Sequence, residues 1–133
     1  MNILLVEDVE ISRMITENIL RQFSEITFID NAKNGFEAIK KTLDLYKKGK
    51  KYDVIFMDII MPITSGYQAL ESIRKYEKDN YIEENNRSKI VILSSLNTKE
   101  EIENGLRMGA DKVFIKPINY EDIKSLFEEW NMI

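Results

Sequence analysis

The stretch Val54-Ile55-Phe56-Met57-Asp58-Ile59-Ile60-Met61-Pro62 decides the fold. Its four leading apolar residues read as a strand buried on both faces. Asp58 closes that strand with Pro62 four residues on, and open α/β sheets keep their ligand sites at the C-terminal ends of strands. Ile3-Leu4-Leu5-Val6 repeats the pattern and runs straight into Glu7-Asp8. Three acids at the ends of two buried strands would converge at one end of a sheet. Two like charges ~4 Å apart repel by roughly 4 kcal/mol at an effective dielectric of about 20. Something positive should complete the site. The candidates are a hard divalent cation and Lys116, which follows a third apolar run, Val113-Phe114-Ile115.

Strand and helix patterns alternate from end to end. The spacing predicts strands at Ile3–Val6, Ile26–Ile29, Val54–Met57, Ile90–Leu93 and Val113–Ile115. The second, mixed with Thr27 and closed by Asp30-Asn31, has the character of an edge. Helical faces are read from Ile11, Met14, Ile15, Ile19 and Phe23, and from Phe36, Ile39, Leu43 and Tyr46. Further faces are Ala69, Leu70, Ile73 and Tyr76 after Gly66, then Ile102 and Leu106, then Ile123, Leu126, Phe127 and Trp130. Asn34 and Thr98 each precede a Glu by three residues and are predicted helix caps. Gly49 and Gly109 are predicted helix ends. Thr64 is read as a loop residue, Met61 as packing, and Phe28, Phe56 and Trp130 as core. The polar stretch from Glu77 to Ser88 is predicted to be a surface loop with room for extra helix.

Five βα units imply a doubly wound parallel sheet with helices on both faces and right-handed crossovers. The most apolar strands, the first, third and fourth, belong in the centre. The order 2-1-3-4-5 satisfies this and sets Glu7, Asp8 and Asp58 on adjacent strands at the switch point.

The 133 residues suffice for one domain, expected to span residues 1–133 without an output domain. The net charge of −4 gives no basic footprint for nucleic acid. Cysteine is absent, so disulfides and thiolate metal sites are excluded. No apolar run approaches the ~20 residues of a membrane span, and a cytoplasmic location is expected. Histidine is also absent, which excludes an imidazole base, a His metal ligand and a phosphohistidine on this chain.

These residues carry a family likeness. The chain resembles the receiver (response-regulator) domain of two-component and phosphorelay signalling, of flavodoxin-like topology, over essentially its whole length. The matching pieces are Leu5-Val6-Glu7-Asp8, then Met57-Asp58-Ile59-Ile60-Met61-Pro62 with Gly66. They continue with Ile92-Leu93-Ser94-Ser95, Gly109-Ala110-Asp111 and Lys116-Pro117. The wording of Leu5–Ser12, Asn34–Ile39 and Ile115–Ile118 is most similar to receivers of hybrid histidine kinases.

The resemblance implies roles. Asp58 would be the phosphoacceptor, a carboxylate nucleophile that takes a phosphoryl group. Glu7, Asp8, Asp58 and the backbone carbonyl of Ile60 would hold Mg²⁺, which takes oxygen ligands. Lys116 would contact the phosphoryl oxygens as a point charge. Ser94 would be the hydroxyl that follows those oxygens, and the Ser95 N–H would donate beside it. The Lys116–Pro117 peptide bond is expected to be cis. Ile60 and Leu96 would flank the phosphoryl group and restrict the water that hydrolyses it. The chain would not be an enzyme beyond its own phosphorylation and dephosphorylation.

The donor would be a histidine kinase or histidine phosphotransfer protein. The reader would be a further protein, docked where the fourth helix, fifth strand and fifth helix meet. That face would leave the chain a monomer or a weak dimer. One departure stands out. Receivers commonly carry Tyr or Phe where this chain has Val113, and Phe114 beside it must face the other way.

Two other functions compete. A phosphohydrolase of the haloacid-dehalogenase type would need an acid at Ile60. A flavodoxin-like cofactor binder would need a Ser/Thr/Gly loop after the first strand, where this chain has Glu7-Asp8-Val9-Glu10.

Overall fold

The computed structural model describes residues 1–61, 65–96 and 98–133. Pro62 and Thr64 lie outside them. The elements are β1 (Asn2–Val6), α1 (Glu10–Leu20), β2 (Phe28–Ala32), α2 (Gly35–Lys47), β3 (Val54–Asp58) and α3 (Gly66–Asp79). After a short 3₁₀ turn, Glu84–Asn86, come β4 (Lys89–Ser94), α4 (Lys99–Arg107), β5 (Lys112–Ile115) and α5 (Tyr120–Glu129). All strand pairs are parallel, in the order β2-β1-β3-β4-β5. The predicted fold class and strand order are both correct. Among the described residues no helix is long and apolar enough to cross a membrane.

Strand alternation divides the core into two layers. Leu4, Val6, Ile55, Met57, Ile90, Ile92 and Val113 face α2, α3 and α4. Ile3, Leu5, Val54, Phe56, Val91 and Leu93 face Leu20 and Phe23 beside α1, and Ile123 and Phe127 of α5. Every residue of β3 is buried, as its unbroken apolar run requires. Asn34 and Thr98 cap their helices as predicted, accepting from Glu37 N–H at 2.8 Å and Glu101 N–H at 3.2 Å.

Several expectations fail. The second strand lies two to three residues further on than Ile26–Ile29, and takes in Asp30 and Asn31. Its polar groups find partners at the sheet edge: the Asp30 carboxylate accepts from Lys41 Nζ at 3.0 Å and Tyr52 OH at 2.7 Å. Phe28 is exposed rather than core. On α1, Ile11, Met14 and Ile15 are exposed, and Thr16 and Leu20 face the sheet. On α2, Phe36 is exposed while Ala38 and Thr42 are buried. On α4, Ile102 packs on the core but Leu106 is exposed.

The stretch from Glu77 to Ser88 is not a plain surface loop, because both its ends are buried. Glu77 belongs to α3 and accepts from Arg74 Nη1 at 2.7 Å and from the Tyr46 hydroxyl. Arg74 also donates to the carbonyls of Ser88 and Gly109, at 2.9 Å each, and to Asp111 at 2.8 Å. This network ties α3 to α2, to the start of β4 and to the α4–β5 turn.

Removing one partner of such a network strands the other charges without water. Glu77→Ala is expected to cost about 3 kcal/mol in urea denaturation. Lys75→Ala, which breaks the exposed Lys75–Asp79 pair, should cost less than about 0.5 kcal/mol.

Candidate functional site

The sheet delivers the three acids to one point. Backbone pairing carries β1 beyond Val6, with Glu7 N–H donating to the Ala32 carbonyl at 3.0 Å. Asp58 is the last residue of β3, paired with Leu93 of β4. One carboxylate oxygen from each of Glu7, Asp8 and Asp58 lies within 4.8 Å of the others. Glu7 and Asp58 are buried and Asp8 is exposed.

Gly66 is what permits α3 to start so close to the end of β3. Its N–H donates to the Ile59 carbonyl at 3.0 Å. A Cβ there would stand 2.3 Å from the Asp58 carbonyl oxygen, an impossible contact for any other residue. Glycine thus lets α3 begin directly against the Asp58 backbone.

Lys116 reaches in from the end of β5. Its Nζ lies 2.8 Å from Glu7 Oε2 and 3.5 Å from Asp58 Oδ2. The Lys116–Pro117 bond is cis, as the resemblance implied. Ser12 is a member of the site that the sequence did not single out. Its hydroxyl donates to Glu7 Oε2 at 3.3 Å and accepts from Lys116 Nζ at 3.2 Å. The spacing from Glu7 to Ser12, in the first turn of α1, is the one sequence signal for it. Glu7 Oε1 accepts from Val9 N–H at 3.2 Å, and Asp58 Oδ1 accepts from Ile60 N–H at 3.4 Å.

Burial first, and then the Glu7 charge, push the Asp58 carboxyl up to about 6, with Lys116 opposing. One ammonium therefore does not balance three carboxylates. The donor set is all hard oxygen, facing a shortage of positive charge, and this fits a small divalent cation such as Mg²⁺.

The remaining expected residues surround the acids. Ser94 ends β4 and is buried; its hydroxyl accepts from Leu96 N–H at 3.0 Å. Ser95 is exposed beyond it. Ile60 is 63% exposed and Leu96 is 43% exposed, so neither is taken up by the core. Val113 faces the α3/α4 layer and Phe114 the other, as alternation required.

The model of the response regulator receiver domain matches residues 3–128. The chain belongs to that family. It is 31% identical to the chemotaxis protein CheY of Halobacterium salinarum, over 86% of this chain and 83% of that one. It is also 31% identical to hybrid signal transduction histidine kinase A of Dictyostelium discoideum, over 96% of its own length. The chain spans 4% to 15% of the length of the histidine kinases it matches.

Among solved structures it resembles the Saccharomyces cerevisiae Ssk1 receiver domain, crystallised with the histidine phosphotransfer protein Ypd1. That likeness has a TM-score of 0.81 and 30% identity, covering 98% of this chain and 88% of the other. It also resembles the receiver of the Arabidopsis thaliana histidine kinase CKI1, complexed with Mg²⁺ and BeF₃⁻. Here the TM-score is 0.81 at 27% identity, covering 96% and 89% of the two chains. Receiver domains of two-component signalling bind Mg²⁺ at an acidic site, and this receiver presents such a cluster.

The strained charge of Asp58 has a stability consequence. A carboxyl that holds its proton more tightly folded than unfolded stabilises the fold at low pH. That contribution is lost as pH rises from 3.8 to about 6, leaving a cost above it. In chelator, Asp58→Asn is therefore expected to stabilise the receiver by about 1–3 kcal/mol at pH 7.5. Little of this gain should survive at pH 4. Paired urea titrations at the two pH values measure it.

Proposed function

We propose that this receiver takes a phosphoryl group from a phosphohistidine on a partner protein onto Asp58, with Mg²⁺ bound, and answers by altering its α4-β5-α5 surface. The observation that carries the proposal is the meeting of Glu7, Asp8, Asp58 and Lys116 at the strand ends. Glu7, Asp8, Asp58 and the Ile60 carbonyl would hold the ion. When bound, Mg²⁺ supplies positive charge against the phosphoryl oxygens and offsets the carboxylate repulsion.

An Asp58 carboxylate oxygen forms the new bond to phosphorus as the phosphorus–nitrogen bond breaks. The electron pair leaves with the imidazole of the donor. Lys116 moves from the acids to the incoming oxygens, a short distance given its 3.5 Å approach to Asp58. Ser94 exchanges its bond to Leu96 for a phosphoryl oxygen, and the Ser95 N–H donates alongside. The β4–α4 loop follows Ser94, and α4 follows the loop.

A phosphohistidine donor must bring a protein surface to Asp58. Val9, Ile11, Met14 and Ile15, which follow Glu7 and Asp8 into α1, are apolar and exposed, as are Ile60 and Leu96 near Asp58 and Ser94 in the chain. An apolar face of this kind suits a helical kinase or phosphotransfer domain whose histidine is ringed by apolar residues. The readout partner would dock on the α4-β5-α5 side, where Lys112 lies 5.5 Å over the Phe114 ring. A monomer or weak dimer through that face, and a cytoplasmic setting, belong to this proposal. So does the absence of activity on any external substrate. Ile60, where a phosphohydrolase would carry its general acid, supports the last point.

Incubation with acetyl phosphate and Mg²⁺ should give one phosphorylated species. Asp58→Asn or chelation should abolish it. Ile15→Glu should slow transfer from a phosphohistidine protein at least about tenfold while leaving acetyl phosphate labelling intact. Continuous release of free phosphate, or equal labelling of the Asn variant at another residue, would overturn the assignment.

The exposed pair Ile60 and Leu96 bears on the lifetime of the phosphorylated state. Hydrolysis needs a water in line with the phosphorus–oxygen bond, and neither side chain can hydrogen-bond it. Ile60→Asn, Leu96→Glu and the double variant should each dephosphorylate faster than the wild type, by about tenfold or more in the double variant. Unchanged rates in all three would show that these positions do not gate water.

A further inference from the structure

Three features meet between β5, α4 and the start of α3. Val113, buried on this face of β5, offers no aromatic ring. Opposite it, α4 carries Gly105, also buried, where an added side chain would press on Val113. A Cβ there would stand 3.0 Å from Val113 Cγ2 and 3.9 Å from Tyr67 Cε1. The ring of Tyr67 therefore lies beside the α4 backbone, in the same layer as Val113. It packs on the α2/α3/α4 core layer while its hydroxyl extends to α4. That hydroxyl donates to Glu101 Oε2 at 2.5 Å and lies 3.4 Å from the Glu101 carbonyl oxygen.

Both ends of this contact are wired to the site. Tyr67 is the second residue of α3, immediately after Gly66, which is fixed against the Asp58 and Ile59 backbone. Ser65 caps the same turn through a reciprocal pair with Gln68. Glu101 lies in the first turn of α4, its own N–H bonded to Thr98 Oγ1 at 3.2 Å. That turn is the first regular structure after Ser94 and Leu96. A pull on Ser94 thus arrives at Glu101, whereas Tyr67 stays with Asp58.

We propose that Tyr67 is a latch: its hydroxyl bond to Glu101 holds the first turn of α4 against the start of α3 and sets how readily α4 moves. It serves this receiver in place of a rotating aromatic on β5. Burial, and then the Glu101 carboxylate, push the Tyr67 phenol up to about 12, so it keeps the proton it donates at neutral pH. The link between this latch and signalling rests on the proposed phosphorylation of Asp58. The latch itself does not.

The test is amide hydrogen exchange on the unphosphorylated protein, comparing wild type with Tyr67→Phe, Glu101→Ala and Glu101→Gln. Tyr67→Phe keeps the ring and removes only the donor. Exchange at Ile102 to Gly105 should quicken about fivefold in Tyr67→Phe and in Glu101→Ala. Amides of β1 and β3 should be unchanged. Glu101→Gln loses the charge but keeps an accepting oxygen, and should stay close to wild type.

Wild-type exchange across α4 in Tyr67→Phe overturns the latch. So does equal quickening in Glu101→Gln, which would assign the effect to charge at the helix start. A second measurement adds Mg²⁺ and beryllofluoride and follows α4 amide shifts. Tyr67→Phe should lie closer to the activated positions before the addition, and unshifted starting positions count against the proposal. Failure of Asp58 labelling in the wild type would overturn the signalling reading, and the exchange comparison would still decide the latch.

Discussion

The constraint on which the rest of this structure depends is the burial of like charges at the ends of adjacent strands. Glu7 and Asp58 are both buried, with Asp8 beside them. A lone ammonium at 3.5 Å, as Lys116 is from Asp58, recovers about 5 kcal/mol at an effective dielectric near 20. Lys116 divides that attraction between two acids and lies closer to Glu7. Burial, and then the excess of negative charge left by Glu7, raise the Asp58 carboxyl. The same excess suits a divalent cation, and under the proposed function a cation there would restore Asp58 as a charged nucleophile. Poor electrostatics in the metal-free fold and competence in the loaded one are thus a single property.

Such a site can persist only on a frame that does not yield. The central strands are buried on both faces and packed against two helix layers. The Arg74–Glu77–Tyr46 network adds a polar brace at the far side, between α2, α3 and the α4–β5 turn. What remains free to respond lies at the rim: the Ser94–Leu96 turn, held by short local bonds, and the first turn of α4. Under the proposed switching, movement would fall on these lightly tethered elements, while the acids stay fixed to the sheet.

The sheet and its acids were legible in the sequence because β1, β3 and β4 are buried on both sides. A continuous apolar run ending in a carboxylate leaves one reading. The helices were harder, for a definite reason. On α1 the stripe Ile11, Met14, Ile15 has helical period, yet it faces water, and the inner face is Thr16 and Leu20. Periodicity marks an apolar stripe without saying whether the sheet or a partner covers it. β2 was misplaced because Asp30 and Asn31 read as a turn, and their partners Lys41 and Tyr52 come from distant segments. Glu77 looked solvated for the same reason. Ser12 and Tyr67 carry no signature of their own, since each acquires its role only from a neighbour brought close by the fold.

The apolar rim unites two demands that would otherwise conflict. Exposed Ile11, Met14, Ile15, Ile60 and Leu96 lower solubility and contribute nothing to the core. A purely structural optimum would replace them with polar residues. A polar rim, however, would orient water toward the phosphoryl group and offer a donor protein little apolar area to bury. Under the proposed phosphotransfer an apolar rim would do the reverse on both counts: it would restrict the hydrolytic water and reward the approach of a partner. The surface that admits the phosphoryl group would then also be the surface that protects it.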